Sequence, residues 1–191
     1  AYKQLTGLLA YELANANAVV RKTSQEALQV LSKVTGKTVT QIILPVKNIL
    51  LPPIFTKPLR ALPFLMQIGH IDAITFCLGL KDTFLEFNDE LNRLVLEALA
   101  LIDAEDDSLT SAHRASEHRT AEQLVQLRIV SIKLLSLALT LPDYHLIQQT
   151  QTRSKIMAVF FKTLYNKSSK VVDAAHAGLR AVVAHNTRLP K

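Results

Sequence analysis

The sequence predicts an all-α fold, a solenoid of about eight helices stacked in antiparallel pairs. Apolar residues recur at steps of three, four and seven, which places them on single faces of helices. Asn, Thr and Gly stand where those helices would begin and end. No segment combines strand-like alternation with hairpin signals. Because 49% of the 191 residues are hydrophobic, a disordered chain is excluded.

Local signals mark the helix boundaries in the first 50 residues. After an early apolar segment, a helix begins at Asn17, whose side chain can accept a hydrogen bond from a free backbone N–H. That helix ends at Gly36, which can adopt a positive φ. Thr38 and Gln41 have the spacing of a capping box for the next helix. Pro45 is expected to kink or interrupt that helix.

A proline-rich segment separates these helices from the middle of the chain. Residues 51–63 contain four prolines, which fix φ and remove N–H donors, and they predict an extended linker. An apolar helix is expected over residues 66–80. Asn88 then caps a strong helix, and Asp89 and Glu90 lie in its first turn, where the helix dipole favours negative charge.

The second half predicts a polar loop followed by three helices. Residues 103–119 are polar and form the best loop candidate. Thr120 and Gln123 match a second capping box, which would open a helix over residues 121–141. Because the polar stripe of that helix is narrow, it is expected to lie between other helices. The last two predicted helices span residues 152–165 and 169–184.

Two helices open with the same pattern, which indicates a repeat. A polar turn leads to a Val-Val pair, and a small residue followed by Leu lies further along each helix. Val20 and Val171 are 151 residues apart, or four intervals of about 38, close to the roughly 40-residue period of HEAT-type helix pairs. Such pairs stack because neither buries its apolar face alone. Residues 1–191 are therefore predicted to form one segment of a longer HEAT-like solenoid, with an irregular bundle as the alternative.

The formal net charge of +6 conceals two blocks of opposite sign. Residues 82–107 contain nine acidic residues and one Arg, and residues 151–191 contain eight basic residues and one Asp. Both blocks are candidate protein contacts, although each could instead pair with a neighbouring repeat. The basic block lacks interleaved aromatic residues, which argues against direct nucleic-acid binding. The candidate contact residues are Asp103, Glu105, Asp106, Asp107, Lys167, Lys170 and Arg180.

No catalytic, cofactor-binding or metal-binding residue is predicted. The acids of residues 103–107 resemble the start of a calcium loop, but Ser108 and Arg114 stand where Gly and Glu are required. Cys77 lies in an apolar run typical of a core. Glycine-rich phosphate-binding motifs are missing. Since no run of about 18 uncharged apolar residues occurs, no membrane span is predicted, and the chain is interpreted as a non-enzyme.

Several segments between residues 55 and 185 resemble the transformation/transcription domain-associated (TRRAP) family. The resemblance is carried by Lys57–Phe64, Met66–Gly69, Glu86–Leu91, Glu97–Leu101, Leu127–Leu135 and Ala158–Tyr165. Members are very large relatives of the phosphoinositide-3-kinase-related kinases, with a HEAT-type solenoid, a FAT region and a C-terminal pseudokinase. The resemblance implies a scaffold that assembles SAGA-type and NuA-type histone acetyltransferase complexes and receives transcription activators.

The resemblance also sets the expected partners and location. A nuclear, non-catalytic scaffold segment would contact other complex subunits, activators and neighbouring repeats of its own chain. None of the family's kinase-like motifs falls within the segment, so no catalytic residue is carried over. Two alternatives remain: an importin-like adaptor or transport protein, against which the absence of Trp weighs, and the regulatory solenoid of an active phosphoinositide-3-kinase-related kinase.

Overall fold

The computed structural model describes residues 2–110, 117–141 and 150–187. Within these ranges every regular element is a helix, which confirms the all-α prediction. The chain divides into two compact units, residues 1–86 (unit 1) and residues 87–191 (unit 2).

Unit 1 is a cluster of helices around an aliphatic core. The elements are α1 Tyr2–Glu12, α2 Ala18–Thr35, α3 Val39–Ile43, a 3-10 turn Leu44–Val46, α4 Lys47–Phe55, a 3-10 turn Leu59–Ala61 and α5 Phe64–Leu78. The first helix, α1, packs against both α2 and α4, and α2 packs in turn against α3 and α5. Leu13, Leu28, Ile43 and Ile71 are fully buried between these helices.

Three of the predicted helix boundaries in unit 1, at Asn17, Gly36 and Thr38, are confirmed. The Asn17 side chain accepts a hydrogen bond from the backbone N–H of Val19 at 2.8 Å. Gly36 ends α2 with φ of 69°, in the left-handed region that favours glycine. Thr38 and Gln41 form a reciprocal capping box at the start of α3. These contacts satisfy backbone groups that helix ends otherwise leave unpaired.

The prediction of an extended linker over residues 51–63 needs correction at its start. Pro52 and Pro53 lie inside α4, which continues to Phe55. Leu50 and Ile54 are one helical turn apart and both buried, so they hold this stretch against the core. Burial of two large aliphatic side chains, each worth about 1.5–3 kcal/mol, offsets the hydrogen bonds that the prolines remove.

The turn between α1 and α2 is pressed closely against α5. A Cβ atom at Gly69 would lie 2.6 Å from the carbonyl oxygen of Ala14 and 2.7 Å from that of Asn15, so only glycine fits there. The buried Arg21 donates to the same Asn15 oxygen at 2.8 Å, and its Nε donates to Asp72 of α5 at 2.8 Å. These contacts fix the turn beside α5.

Unit 2 is organised around one long central helix. The elements are α6 Asp89–Asp103, α7 Asp106–Thr110, α8 Glu117–Thr140, α9 Thr150–Thr163 and α10 Ser169–Thr187. The central helix, α8, packs against α6 and α10, while α9 packs against α6, α8 and α10. The segment Arg119–Thr140 of α8 is long and apolar enough to cross a membrane, yet 56% of the relevant window is buried within the protein, as in a core helix.

The polar segment before α8 differs from its predicted loop conformation. Part of residues 103–119 forms the short helix α7, and residues 111–116 lie outside the described ranges. The helix α8 already begins at Glu117, so Thr120 is an interior residue and is buried rather than a cap. By contrast, Asn88 caps α6 as expected and accepts a hydrogen bond from Leu91 N–H at 3.1 Å.

Candidate protein-interaction site

A cleft of about 400 Å³ lies in unit 2 where the end of α6, the helix α7 and the α9–α10 turn meet. It brings together all four acidic candidates and one of the three basic candidates. The lining residues are Ile102, Asp103, Ala104, Glu105, Asp106, Asp107, Arg128, Lys162, Thr163, Tyr165, Asn166 and Lys167.

Asp106 is the centre of the charge network in this cleft. One carboxylate oxygen accepts a hydrogen bond from Arg128 Nη1 at 2.7 Å, and the other accepts from Lys167 Nζ at 2.7 Å. The Lys167 ammonium lowers the pKa of Asp106 most, partial burial opposes this effect, and the Arg128 guanidinium lowers the pKa further. Asp106 is therefore held ionised between two cations.

Arg128 ties the centre of α8 to this network. Its side chain is only 7% exposed. Besides the Asp106 contact, its Nη2 donates to the carbonyl oxygen of Ala104 at 2.8 Å. Ala104 has an extended conformation at the end of α6, so its carbonyl is free to accept this bond. The buried guanidinium thereby joins α6, α7 and α8.

A second, exposed ion pair lies at the edge of the cleft. Lys162 of α9 donates to Asp103 at 2.9 Å, and both side chains are exposed. The hydrogen bond and charge of Asp103 raise the pKa of Lys162, with a smaller contribution from Glu105. Water screens such a pair, so it contributes little to stability.

The predicted contact residues fall into three groups. Asp103, Asp106 and Lys167 are engaged in ion pairs within unit 2. Glu105 and Asp107 line the same cleft with exposed side chains. Lys170 and Arg180 are exposed on α10 and are not among the residues that line the cleft. The basic and acidic blocks therefore meet through two lysines, Lys167, which was a predicted contact, and Lys162, which was not.

Sequence reasoning missed Arg128, Lys162 and Tyr165. The one available signal was the position of Arg128 within the apolar stretch 124–132 of α8, because a charge among apolar residues needs a partner. Tyr165 is 92% exposed in the turn that follows α9 and lines the cleft together with the acidic residues. Among the described residues, no three His, Cys, Asp or Glu side chains come together as metal ligands. The side chains of the cleft can therefore fix some charged groups in ion pairs and expose others to a partner.

Comparison with known proteins identifies the family. A family model described as the Tra1 HEAT repeat ring region matches residues 1–191. The chain belongs to this family. The Tra1 match confirms both the resemblance to the transformation/transcription domain-associated proteins and the HEAT-like helical fold. The matched family is a HEAT ring region rather than a kinase domain.

Similar proteins from three organisms are much longer than this Tra1-family chain. It is 49% identical over 181 residues to the SAGA complex/NuA4 acetyltransferase complex subunit TRA1 of Saccharomyces cerevisiae, covering 94% of the chain and 5% of that protein. Identity to the Schizosaccharomyces pombe subunit Tra1 is 44% over 180 residues, with the same coverage. The human transformation/transcription domain-associated protein is 34% identical over 186 residues, which cover 94% of the chain and 4% of that protein.

Proposed function

We propose that the chain is a non-catalytic scaffold segment of a nuclear, pseudokinase-family subunit of histone acetyltransferase coactivator complexes. In this role it supports complex assembly and the recruitment of transcription activators. The observation that carries the proposal is the Tra1 ring-region match over residues 1–191, together with relatives named as SAGA and NuA4 complex subunits. The chain spans about one twentieth of those relatives, so the function of the whole subunit is part of the proposal.

The mechanism is the display of charged groups on a rigid helical frame. Asp106 and Arg128 join the elements of unit 2, and they act as positioning residues for the cleft. The exposed carboxylates of Glu105 and Asp107 are then free to meet a basic partner, and Tyr165 beside them can contact a cation through its ring face. These three residues form the proposed contact surface of the cleft.

A second contact is proposed on the outer surface of α10. Lys170 and Arg180 are exposed there and suit an acidic partner or a neighbouring repeat. Their separation from the lining of the cleft means that the two surfaces can be tested separately.

Affinity purification of the tagged full-length protein tests this function. Acetyltransferase subunits are expected to co-purify with the wild type, and their recovery should fall in a variant that combines Glu105→Lys with Asp107→Lys. Glu122→Lys, at an exposed position of α8 outside the cleft lining, is the matched control and should retain them. Purification of the wild type without any acetyltransferase subunit would overturn the proposal, and equal recovery from all variants would remove the cleft from it.

A further inference from the structure

One lysine of unit 2 clamps the α9–α10 turn against α7. Lys167 Nζ donates to a carboxylate oxygen of Asp106 at 2.7 Å, the shortest lysine ion pair in the described part of the chain. The side chain of Lys167 is nevertheless 80% exposed. An exposed ion pair is weak and opens readily, so an enzyme can reach this ammonium group.

The backbone around Lys167 distinguishes it from the other described lysines of unit 2. Lys167 lies in the turn of residues 164–168, outside any helix. The other described lysines of this unit all lie inside helices: Lys133, Lys155, Lys162 and Lys170. An enzyme that binds its target segment in an extended form can do so more easily at a turn than in a helix, whose backbone groups are already hydrogen-bonded.

The Lys167 contact can be lost while the frame of the cleft persists. Asp106 is held at its other oxygen by Arg128 of α8, which is 7% exposed and also bonds the carbonyl oxygen of Ala104. Acetylation targets the amine of a lysine and removes its charge, and it leaves a guanidinium group unchanged. The joint between α6, α7 and α8 would therefore remain while the turn is released from α7.

A neutral Lys167 would also make the cleft more acidic. The described lining has four carboxylates and three cationic side chains, a formal net charge of −1. Loss of the Lys167 charge changes this value to −2, and one oxygen of Asp106 becomes available in addition to the exposed Glu105 and Asp107. A larger negative charge attracts a basic partner more strongly.

We propose that Lys167 is an acetylation site whose modification releases the α9–α10 turn and opens the cleft to a basic partner. The acetyl donor is acetyl-CoA. A base of the acetyltransferase takes one proton from the ammonium group, and the neutral Nζ attacks the thioester carbonyl carbon. The amide C–N bond forms as the C–S bond breaks, and a second Nζ proton leaves with the thiol of CoA. The inference rests on the proposed function, which places an acetyltransferase in the same complex.

Mass spectrometry tests the modification itself. The tagged full-length protein is purified with its acetyltransferase subunits, incubated with acetyl-CoA and digested. Acetylation of Lys167 should exceed that of the exposed helical Lys155 and Lys170 by about tenfold, because a helix must open locally before its lysine is bound in an extended form. Unmodified Lys167, or equal acetylation of the three lysines, would overturn the inference.

Hydrogen exchange tests the release of the turn. Lys167→Gln imitates the neutral acetyl-lysine, whereas Lys167→Arg keeps the charge and cannot be acetylated. The amides of Tyr165 and Asn166, which bond back to carbonyls of α9, should exchange about two- to fivefold faster in the glutamine variant and at the wild-type rate in the arginine variant. Equal exchange in Lys167→Gln and wild type would contradict the clamp.

Binding of a fluorescein-labelled peptide of alternating Lys and Gly residues tests the added acidity. Full-length Lys167→Gln should bind it about two- to fivefold more tightly than wild type. Lys170→Gln makes the same charge change outside the cleft lining and should have a smaller effect. An equal gain in both variants would indicate a general charge effect and overturn the switch.

These experiments separate the switch from the proposed function. Absence of acetyltransferase subunits from the purified wild type would overturn the proposed function, and the glutamine variant would still test the clamp. Their presence together with an unmodified Lys167 would overturn the acetylation site alone.

Discussion

Replacing Asp106 with Ala should destabilise unit 2 by about 2–3 kcal/mol, because the change leaves a buried cation without its counter-ion. Arg128, 7% exposed, would retain only its hydrogen bond to the carbonyl of Ala104. Breaking a fully buried pair costs about 3–5 kcal/mol, and an exposed pair is worth far less. Asp106 is 35% exposed, so water reaching the gap reduces the cost below the buried limit.

Two further variants separate the buried charge from other causes. Asp103→Ala is the matched control: it removes a carboxylate from an exposed pair with Lys162, so its effect should be much smaller. Combining Asp106→Ala with Arg128→Met should recover part of the lost stability, since the buried side chain is then neutral. Urea unfolding followed by circular dichroism measures the loss, and hydrogen exchange at the amides of α8 assigns it to unit 2.

The contribution of this pair should also depend on pH. Because the pKa of Asp106 is lowered in the folded protein, the stabilisation is fully present above the unfolded-state value of about 3.9. It is lost as the pH falls through the lower folded-state pKa, so wild type and Asp106→Ala should converge in strong acid. Equal losses for Asp106→Ala and Asp103→Ala at neutral pH would refute the reasoning.

Three other predictions concern the packing of unit 1. Gly69→Ala should lower the free energy of unfolding in urea by about 1–3 kcal/mol, because the new Cβ would lie 2.6 Å from the Ala14 carbonyl oxygen. Gly7→Ala should lower it less, because the nearest atom to its Cβ is the flexible end of a side chain at 3.3 Å. Thr38→Ala should lose about 1 kcal/mol of stability with the capping box, and no loss would contradict its role. Burial raises the pKa of Cys77 to about 12, so the native thiol should react with iodoacetamide only after denaturation. Mass spectrometry detects the added group, and rapid labelling of the native protein would contradict this prediction.

Helix boundaries could be predicted where their signals act over a few residues. The caps at Asn17, Thr38 and Asn88 and the positive φ at Gly36 depend on neighbours close in the chain, and all four are confirmed. The side-chain hydrogen bonds of the three caps join residues two or three positions apart, so spacing alone reveals them.

The predictions failed where packing outweighs a local signal. Pro52 and Pro53 predict an extended chain, yet the buried Leu50 and Ile54 keep that stretch helical. Thr120 has the spacing of a cap, but its burial places it inside α8. In both cases the free energy gained by burying apolar surface is larger than the free energy of the local conformational preference.

Fold class and family follow from the order of residues, because helical periodicity, caps and family motifs are written along the chain. The interaction that each charged side chain makes does not follow from the order of residues. Asp106 pairs with Arg128, 22 residues away, and with Lys167, 61 residues away, while Glu105 between the paired acids stays exposed. Helix packing decides which of these adjacent acidic side chains forms an ion pair within the protein and which faces solvent. The reason is that an ion pair forms only where the fold brings opposite charges within about 4 Å.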